Sequence, residues 1–292
     1  MSLFNLPAWI KPHLFTNKKF SDLTPYELEN LKVRIANFKH SSPDVSVVIP
    51  AWNEENNIFR AISSLASNKT DLKVEIVVVN NNSTDNTQRV LEELGITNYF
   101  QPVQGIAPAR SMGLNHAKGK FHLCADSDTF YPPRWMDLMI KPMMDDRDIV
   151  GVYGRYSFIP SPDEGRSLFW VYEKIAGILI RIRKKKMEFI NVLGFNMGFI
   201  TEVGRANGGF EVTEARKFNN IAGTEGFVEE SEDGRMALNL KKTGKLKLVT
   251  DSQARVFTSS RRLAAEGGIL KSFANRMKLH TNRFSEYITG NK

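Results

Sequence analysis

Short apolar runs alternate with amphipathic segments along the first half of the chain. Residues 45–49 (VSVVI) and residues 74–79 (VEIVVV) are the clearest runs, and such short β-branched stretches are typical of buried strands. The segment between them repeats an apolar residue every three or four positions, which predicts a helix from about Asn53. Strands that alternate with helices in this way indicate a parallel sheet covered by helices on both faces.

The alternation continues through the next elements, and Pro50 is expected to end the first strand. A helix ending near Gly95 is followed by a weaker strand over residues 99–103, a helix over residues 107–117 and a strand over residues 121–125. We therefore predict an α/β fold with a Rossmann-like, mixed and mostly parallel sheet flanked by helices. Because ligands of such folds bind beyond the carboxyl ends of the strands, the residues after each strand are the functional candidates.

Differences in pattern divide the 292 residues into three regions. Residues 1–43 indicate an N-terminal helical extension, residues 44–250 carry the α/β pattern of a catalytic domain, and residues 251–292 are basic and mostly helical in pattern. The start of the chain has no charged segment followed by a long apolar one, so we expect no signal peptide. No window reaches the roughly 18 apolar residues of a spanning helix, and we expect a protein that is not integral to a membrane.

The net charge of +8 is concentrated in two windows. Residues 174–186 hold six Lys or Arg and no acid, and residues 253–292 hold eight Lys or Arg against two Glu. An anionic membrane surface or phosphate groups would match this charge, although solvated cations that serve solubility explain it equally well. Residues 175–186 also suit a helix that lies in a bilayer interface, and equally a core helix with a solvated basic end. The lone Cys124 excludes a disulfide framework and fits a reducing compartment.

Two carboxylates stand one residue apart where the last of these strands runs out, in Ala125-Asp126-Ser127-Asp128. Hard cations such as Mg²⁺ and Mn²⁺ take oxygen ligands and usually bridge to substrate phosphates. On a diphosphate, such a cation would stabilise the charge that develops on the leaving group. A plain turn also places Asp residues in this way, so the pair alone leaves both interpretations open.

The loops after the first two strands carry aromatic and amide side chains. In Pro50-Ala51-Trp52-Asn53-Glu54 the indole can stack on a nucleobase and the last two residues can accept hydrogen bonds from it, yet the same residues suit a plain helix start. After the second strand, Asn80 can bind the imide edge of uracil or serve only a turn. Arg110 opens a later helix and can pair with base carbonyls or phosphate, although a surface arginine is the commoner meaning.

All four segments follow successive strands or open the helix after one, so they converge on one edge of the sheet. In their order and spacing, VSVVIPAWNEE, VVVNNNSTDNT and GIAPARSMGLNHAKGKFHLCADSD resemble the family 2 glycosyltransferases, which have the GT-A fold. The resemblance implies that a nucleotide-diphosphate sugar binds along these segments, with Asp126 and Asp128 on Mn²⁺ or Mg²⁺. The residues that it assigns to donor binding here are Pro50, Ala51, Trp52, Asn53, Glu54, Asn80, Arg110, Asp126 and Ser127.

The resemblance extends to about residue 250. Asn196 in GFNMGF is similar to the family's G-x-N-M segment, and Glu232-Asp233 is similar to its acidic motif before a helix. This implies an inverting displacement in which Asp233 is the general base on the acceptor hydroxyl, with Asn196 and Glu232 at the donor. The dipole of a helix that begins there favours the ionised carboxylate.

Some positions depart from the family pattern. Asn80 stands where an Asp that binds uracil is common, which leaves the base open, although we expect a UDP-linked donor. The Q-x-x-R-W signature of polymerising synthases is replaced by Thr258-Ser259-Ser260-Arg261-Arg262, which favours the transfer of a single sugar. Arg261 or Arg262 is a candidate to close over the diphosphate.

We therefore predict a cytoplasmic glycosyltransferase, able to lie peripherally on the inner face of the membrane, that builds cell-surface glycans or glycolipids. Its partners would be the donor, a glycan or lipid-linked acceptor and an anionic membrane surface, with no nucleic acid. Two alternatives remain. One is a metal-dependent phosphatase, although Thr129 comes one residue too early for its D-x-D-x-T motif, and the other is a non-catalytic glycan- or nucleotide-binding protein.

Overall fold

A computed structural model of the chain describes residues 5–16, 18–160, 165–212, 231–261, 263 and 268–282. Within these ranges the strands are β1 Val45–Ala51, β2 Val74–Asn80, β3 Thr97–Phe100, β4 Phe121–Cys124, β5 Thr129–Phe130, β6 Ile149–Gly154, β7 Tyr156–Ile159, β8 Met197–Ile200, β9 Lys245–Val249 and β10 Val256–Ser259. The α-helices are α1 Lys11–Leu14, α2 Pro25–Ala36, α3 Ile58–Leu65, α4 Thr87–Leu94, α5 Ile106–His116, α6 Trp135–Asp145, α7 Arg166–Arg183, α8 Thr201–Ala206, α9 Glu232–Leu240 and α10 Ile269–Asn282. None of the described helices has the length and apolar character needed to cross a membrane.

Seven strands form one mixed sheet in the order β3-β2-β1-β4-β8-β6-β9. Strand β8 runs antiparallel to its neighbours β4 and β6, and the remaining pairs are parallel. Every residue of β1 and of β2 is buried, because helices cover both faces of the sheet, and this explains their continuous β-branched sequences. The predicted α/β fold with a mixed, mostly parallel sheet is confirmed.

Two predicted boundaries after β1 are wrong. Pro50 does not end the strand, which continues to Ala51; the side of Pro50 that lacks an N–H faces β4, whose pairing with β1 has already stopped at Val48. The helix predicted from Asn53 begins instead at Ile58. Asn53 adopts a left-handed backbone with φ of 53°, so residues 53–57 form a loop rather than a helical turn.

The N-terminal region packs on the same core as the sheet. Helix α2 begins with a capping box, in which the Thr24 side chain accepts from the Glu27 N–H and the Glu27 carboxylate accepts from the Thr24 N–H. Its Leu31 and Ile35 are fully buried in one apolar cluster with β1, β2, α3 and α6. Burial of two such side chains stabilises the fold by about 3–6 kcal/mol. The three predicted regions remain a prediction.

A second sheet of three strands, in the order β5-β10-β7, brings a late segment of the chain to the carboxyl edge of the main sheet. Strand β10 pairs antiparallel with β5, and the Thr129 and Thr258 hydroxyls are 3.0 Å apart. The N–H of Ser259 donates to the Asp128 carbonyl at 3.1 Å. Since Asp128 precedes β5 and Arg261 follows β10, this pairing places the two side chains next to each other.

Candidate active site

The loop after β4 holds the two carboxylates of the D-x-D sequence at the carboxyl edge of the sheet. The backbone N–H of Asp126 donates to the Tyr131 hydroxyl at 2.8 Å, and this hydroxyl donates to the Phe195 carbonyl at 3.1 Å. Tyr131 is fully buried, and burial raises its pKa well above the usual value, so the hydroxyl stays protonated as a donor. The loop is thereby fixed in position while the Asp126 and Asp128 side chains stay partly exposed.

The buried guanidinium of Arg110, on α5, joins carboxylates from two distant stretches of the chain. Its Nη2 lies 2.8 Å from Asp126 Oδ1, and its Nε lies 3.4 Å from Asp233 Oδ1. Only 3% of the Arg110 side chain is exposed. Burial alone would lower the pKa of Arg110, but Asp233 and Asp126 raise it overall, so the side chain stays charged.

Asp233 lies in the first turn of α9, where Ser231 caps the helix. The Gly194 N–H donates to Asp233 Oδ2 at 2.7 Å, while Oδ1 is buried and makes no hydrogen bond within the described chain. Burial, together with the neighbouring Glu232, raises the pKa of Asp233 to about 7 against the opposing effect of Arg110. A carboxylate with a pKa near neutrality is suited to accept and release a proton.

Gly194 lies directly against this pair. A Cβ atom at Gly194 would overlap both the Arg110 guanidinium and the Asp233 carboxylate, so glycine lets the backbone lie this close to them. Sequence reasoning missed this residue. The signal was present in the GFNMGF segment, whose first glycine is residue 194.

A second arginine bridge lies at the outer rim of the cleft. Arg261 Nη2 lies 2.7 Å from Glu54 Oε1 and 3.2 Å from Asp128 Oδ2. Burial raises the pKa of Glu54, and Asp128 raises it further, whereas Arg261 lowers it. The loop after β1 and the D-x-D loop are therefore joined by a half-exposed cation. Arg262, the other candidate of the sequence analysis, lies outside the described residues.

The loops after β1 and β2 bind each other through amide side chains. The Asn53 N–H donates to Ser83 Oγ at 3.0 Å, and Asn53 Oδ1 accepts from the Thr84 N–H at 2.8 Å. Asn80 is 1% exposed; its Nδ2 donates to Gln88 Oε1 at 2.8 Å and its Oδ1 accepts from the Ser83 N–H at 3.1 Å. These contacts shape the predicted base site, and binding of uracil by Asn80 stays a prediction.

Asn196 holds three segments together beneath the cleft. Its Oδ1 accepts from Trp135 Nε1 at 2.8 Å, and its Nδ2 donates to the carbonyl oxygens of Arg155 at 2.8 Å and of Ala254 at 3.3 Å. The side chain is 1% exposed. A supporting role explains these contacts, and its predicted role at the donor is untested.

The other predicted donor residues lie on the same edge. Pro50 and Ala51 are buried at the end of β1, and Trp52 follows them half-buried. Ser127 is buried between the two acids of the D-x-D loop, and Glu232 is buried beside Asp233. The structure thus brings the D-x-D loop, the loop after β1 and Asp233 to one cleft through Arg110 and Arg261.

The acidic side chains of the cleft are also the candidate ligands for a metal ion. Within the described ranges, no group of three or more His, Cys, Asp or Glu side chains is arranged to hold a metal ion. Mg²⁺ and similar hard cations are commonly bound by one or two carboxylates, with substrate phosphates and water completing the shell. The oxygen donors of Asp126 and Asp128, both partly exposed at the cleft, fit that pattern.

The fold is that of the GT-A glycosyltransferases. The mannosyltransferase PcManGT from Pyrobaculum calidifontis, solved in complex with GDP-Man and Mn²⁺, superposes with a TM-score of 0.51 over 86% of this chain and 70% of that chain, at 18% identity. At this identity the likeness concerns the fold.

The sequence defines the family. The family model of Glycosyl transferase family 2 matches residues 46–204, which is more than half of the chain. The chain belongs to glycosyl transferase family 2. This membership confirms the resemblance drawn from the sequence and supports a transferase rather than a phosphatase or a non-catalytic binding protein.

Relatives with named activities match shorter stretches. Chondroitin synthase of Pasteurella multocida is 33% identical over 143 residues, which are 47% of this chain and 15% of that protein. The Escherichia coli UDP-Glc:alpha-D-GlcNAc-diphosphoundecaprenol beta-1,3-glucosyltransferase WfgD is 32% identical over 121 residues, 39% of this chain and 46% of that protein. The chain therefore matches less than half the length of either relative.

Proposed function

We propose that the chain transfers a single sugar, with inversion, from a nucleotide-diphosphate sugar to an acceptor hydroxyl. The arrangement that supports this most directly is the Asp126–Arg110–Asp233 bridge, with ion-pair distances of 2.8 and 3.4 Å. It joins a carboxylate suited to the donor diphosphate to a carboxylate suited to the acceptor. An inverting displacement needs these two functions on opposite sides of one sugar.

Asp233 is the proposed general base. As the acceptor oxygen forms its bond to the anomeric carbon, the bond from that carbon to the diphosphate breaks, and the acceptor proton passes to Asp233. The Gly194 N–H orients the carboxylate through Oδ2 at 2.7 Å, and Oδ1, which lies 3.4 Å from Arg110 Nε and accepts no hydrogen bond from the described residues, is the oxygen that would take the proton. Arg110 holds Asp233 in place and partly offsets its burial.

The donor diphosphate is assigned to the D-x-D loop, where Asp126 and Asp128 would hold Mn²⁺ or Mg²⁺. Such a cation, when bound, stabilises the negative charge that develops on the leaving diphosphate. The PcManGT complex with GDP-Man and Mn²⁺ supports a metal in a protein of this fold. Trp52, Glu54 and Asn80 are assigned to the nucleoside, and the name of WfgD supports a UDP-linked donor.

We expect the transfer rate to rise with pH up to about neutrality and then to level off. The carboxylate is the form of Asp233 that accepts a proton, and its pKa is raised to about 7, so the active fraction falls as the pH drops through that value. The pH dependence of kcat/KM for the acceptor, which reports the enzyme before the acceptor binds, tests this between about pH 5 and about pH 9. A profile that stays flat across neutral pH would contradict the assignment.

A thermal-shift panel of nucleotide-diphosphate sugars, with and without Mn²⁺, tests the donor and the metal. A bound donor at about 100 times its Kd adds about 2.7 kcal/mol of stability. We expect Mn²⁺ to increase the shift of the wild type, and Asp128→Asn to remove that increase while the metal-independent shift remains. Asp71→Asn, at an exposed carboxylate before β2, should behave as the wild type. An unchanged Mn²⁺ effect in the Asp128 variant would argue against this ligand.

The acceptor is proposed to be a glycan or a lipid-linked sugar. WfgD is named for an acceptor on diphosphoundecaprenol, and chondroitin synthase for a polysaccharide. Synthesis of this kind would place the chain in the cytoplasm, at the inner face of a membrane. Parallel incubations of a radiolabelled UDP-sugar with a lipid-linked sugar or with a free glycan, followed by thin-layer chromatography, distinguish the two acceptor classes; label that stays in the UDP-sugar in both would oppose both.

A further inference from the structure

Helix α7 presents an outward stripe in which large aliphatic side chains lead into cations. Leu168, Val171 and Ile178 are 43%, 48% and 56% exposed. At helical spacing the same stripe continues into the exposed Arg181 and Lys185. Single exposed aliphatic residues are ordinary on a protein surface, but three on one helical stripe form a patch that water solvates poorly.

The exposed charges of this helix and of the turn after it have one sign. The acid of α7, Glu173, is turned inward, with 7% of its side chain exposed and its Oε2 lying 3.2 Å from Arg166. The outward stripe therefore carries no compensating carboxylate from α7 itself. The exposed cations of α7 and the following turn are Lys174, Arg181, Lys184, Lys185 and Lys186.

Helix α10 brings the second basic window of the sequence beside the first. The Phe273 ring stacks on Tyr172 of α7 with ring centres 4.3 Å apart, and it meets Phe169 edge-on at 6.0 Å. Helix α10 leaves Leu270 67% exposed, and its Lys271 is exposed as well. We call the exposed aliphatic residues Leu168, Val171, Ile178 and Leu270, together with the exposed Lys and Arg of both helices and of the turn after α7, the basic–aliphatic face.

The composition of this face selects among possible partners. Two copies that met symmetrically through it would oppose cations to cations, which is unfavourable. A nucleic acid would use the cations but leave the aliphatic side chains in water. An anionic bilayer satisfies both, because acyl chains take up the aliphatic groups and headgroup phosphates pair with Lys and Arg. Trp170, half-buried with Lys174 Nζ 5.2 Å from its ring centre, suits the boundary between headgroups and acyl chains.

We propose that the basic–aliphatic face docks the chain on an anionic lipid bilayer. The inner side of α7 is close to the active site, since Tyr172 and Leu179 of α7 line the same cavity, of about 110 Å³, as Leu193. Leu193 directly precedes Gly194, whose N–H binds Asp233. Docking would therefore bring the membrane close to the segment that supports the base. This last consequence, unlike docking itself, rests on the proposed function.

Co-sedimentation of the full chain with vesicles tests the docking without any measurement of transfer. Phosphatidylcholine vesicles are compared with vesicles that also contain phosphatidylglycerol, at low and at high salt. Lys184→Gln/Lys185→Gln/Lys186→Gln should weaken binding to the anionic vesicles roughly 100-fold at low salt, because three cations that attract anionic headgroups are lost from the surface. Leu168→Ser/Val171→Ser/Ile178→Ser should remove the binding that persists at high salt, because salt screens only the charges.

A matched control removes the same charge elsewhere. Lys69→Gln/Lys73→Gln/Lys118→Gln alters three exposed lysines near the amino ends of β2 and β4, and it should bind vesicles as the wild type does. Equal losses in the two lysine variants would overturn the proposal, because net charge rather than this face would then explain binding. Three results with the wild type would overturn it as well: no binding to anionic vesicles, binding to duplex DNA in their place, or a dimer in sedimentation velocity that forms through this face.

Discussion

Asp233→Asn should lower the turnover number for sugar transfer by about 10²- to 10⁴-fold, the usual contribution of a general base. The asparagine oxygen can still accept from the Gly194 N–H, which in the wild type lies 2.7 Å from Asp233 Oδ2. Its amide nitrogen, however, cannot take a proton and would face the Arg110 guanidinium, which is also a donor. Because Asp233 is assigned to the acceptor hydroxyl, binding of the nucleotide-diphosphate sugar should survive in this variant, while transfer is lost.

Steady-state kinetics and a thermal shift with the donor, measured on the same preparations, separate these effects. Asp71→Asn is the matched control, because it makes the same chemical change at an exposed position away from the cleft. A variant at residue 233 that keeps full turnover would remove the base assignment. Loss of both donor binding and turnover would instead indicate that Asp233 supports the cleft rather than the proton transfer.

Arg110→Met should lower the free energy of unfolding by about 3–5 kcal/mol, because it leaves the buried Asp233 and the partly exposed Asp126 without their shared cation. Methionine fills a similar volume, so the loss reflects charge more than packing. The deficit should shrink as the pH falls towards neutrality and then stay constant, because Arg110 lowers the pKa of Asp233 and the variant therefore takes up the proton at a higher pH than the wild type. Protonation of Asp233, whose pKa is already raised to about 7 in the wild type, would then remove the unpaired charge.

Urea unfolding of the wild type and the variant at about pH 8 and about pH 6 tests this prediction. Arg89→Met provides the control, since Arg89 pairs with Glu93 on the surface of α4 with 75% of its side chain exposed. That change should cost less than about 1 kcal/mol. Equal costs at the two arginines would show that the buried bridge contributes little to stability. A deficit at Arg110 that does not depend on pH would show that the charge of Asp233 is not its cause.

Periodicity of the sequence was sufficient to predict the sheet, because β1 and β2 are buried on both faces and their apolar runs have no helical alternative of that length. It also located the loops that follow them. The start of α3 was harder to predict, because Asn53 suits both a helix cap and a left-handed turn. The choice between them depends on Thr84, thirty-one positions away, whose N–H binds the Asn53 side chain.

The partners of polar residues could not be predicted in the same way. The pairing of Arg110 with Asp126 and Asp233 is not predicted from the sequence, and its predicted binding of a nucleobase or a phosphate stays a prediction. The distance between α5 and α9 is fixed by tertiary packing and leaves no local pattern in the sequence. Asn196 was found through the family resemblance, yet its contacts with Trp135 and two backbone carbonyls depend on where α6 and β10 pack.

The position of Arg261 late in the chain means that one rim of the cleft is completed after the other. Glu54 and its cation are 207 positions apart, so the acidic rim is synthesised long before the charge that neutralises it. Until β10 pairs with β5, Glu54 and Asp128 face each other without a counter-ion, and closing so long a loop is slow. Before β10 is in place, the main core also lacks Val256, so the late segment completes both the core and the charge balance of the cleft.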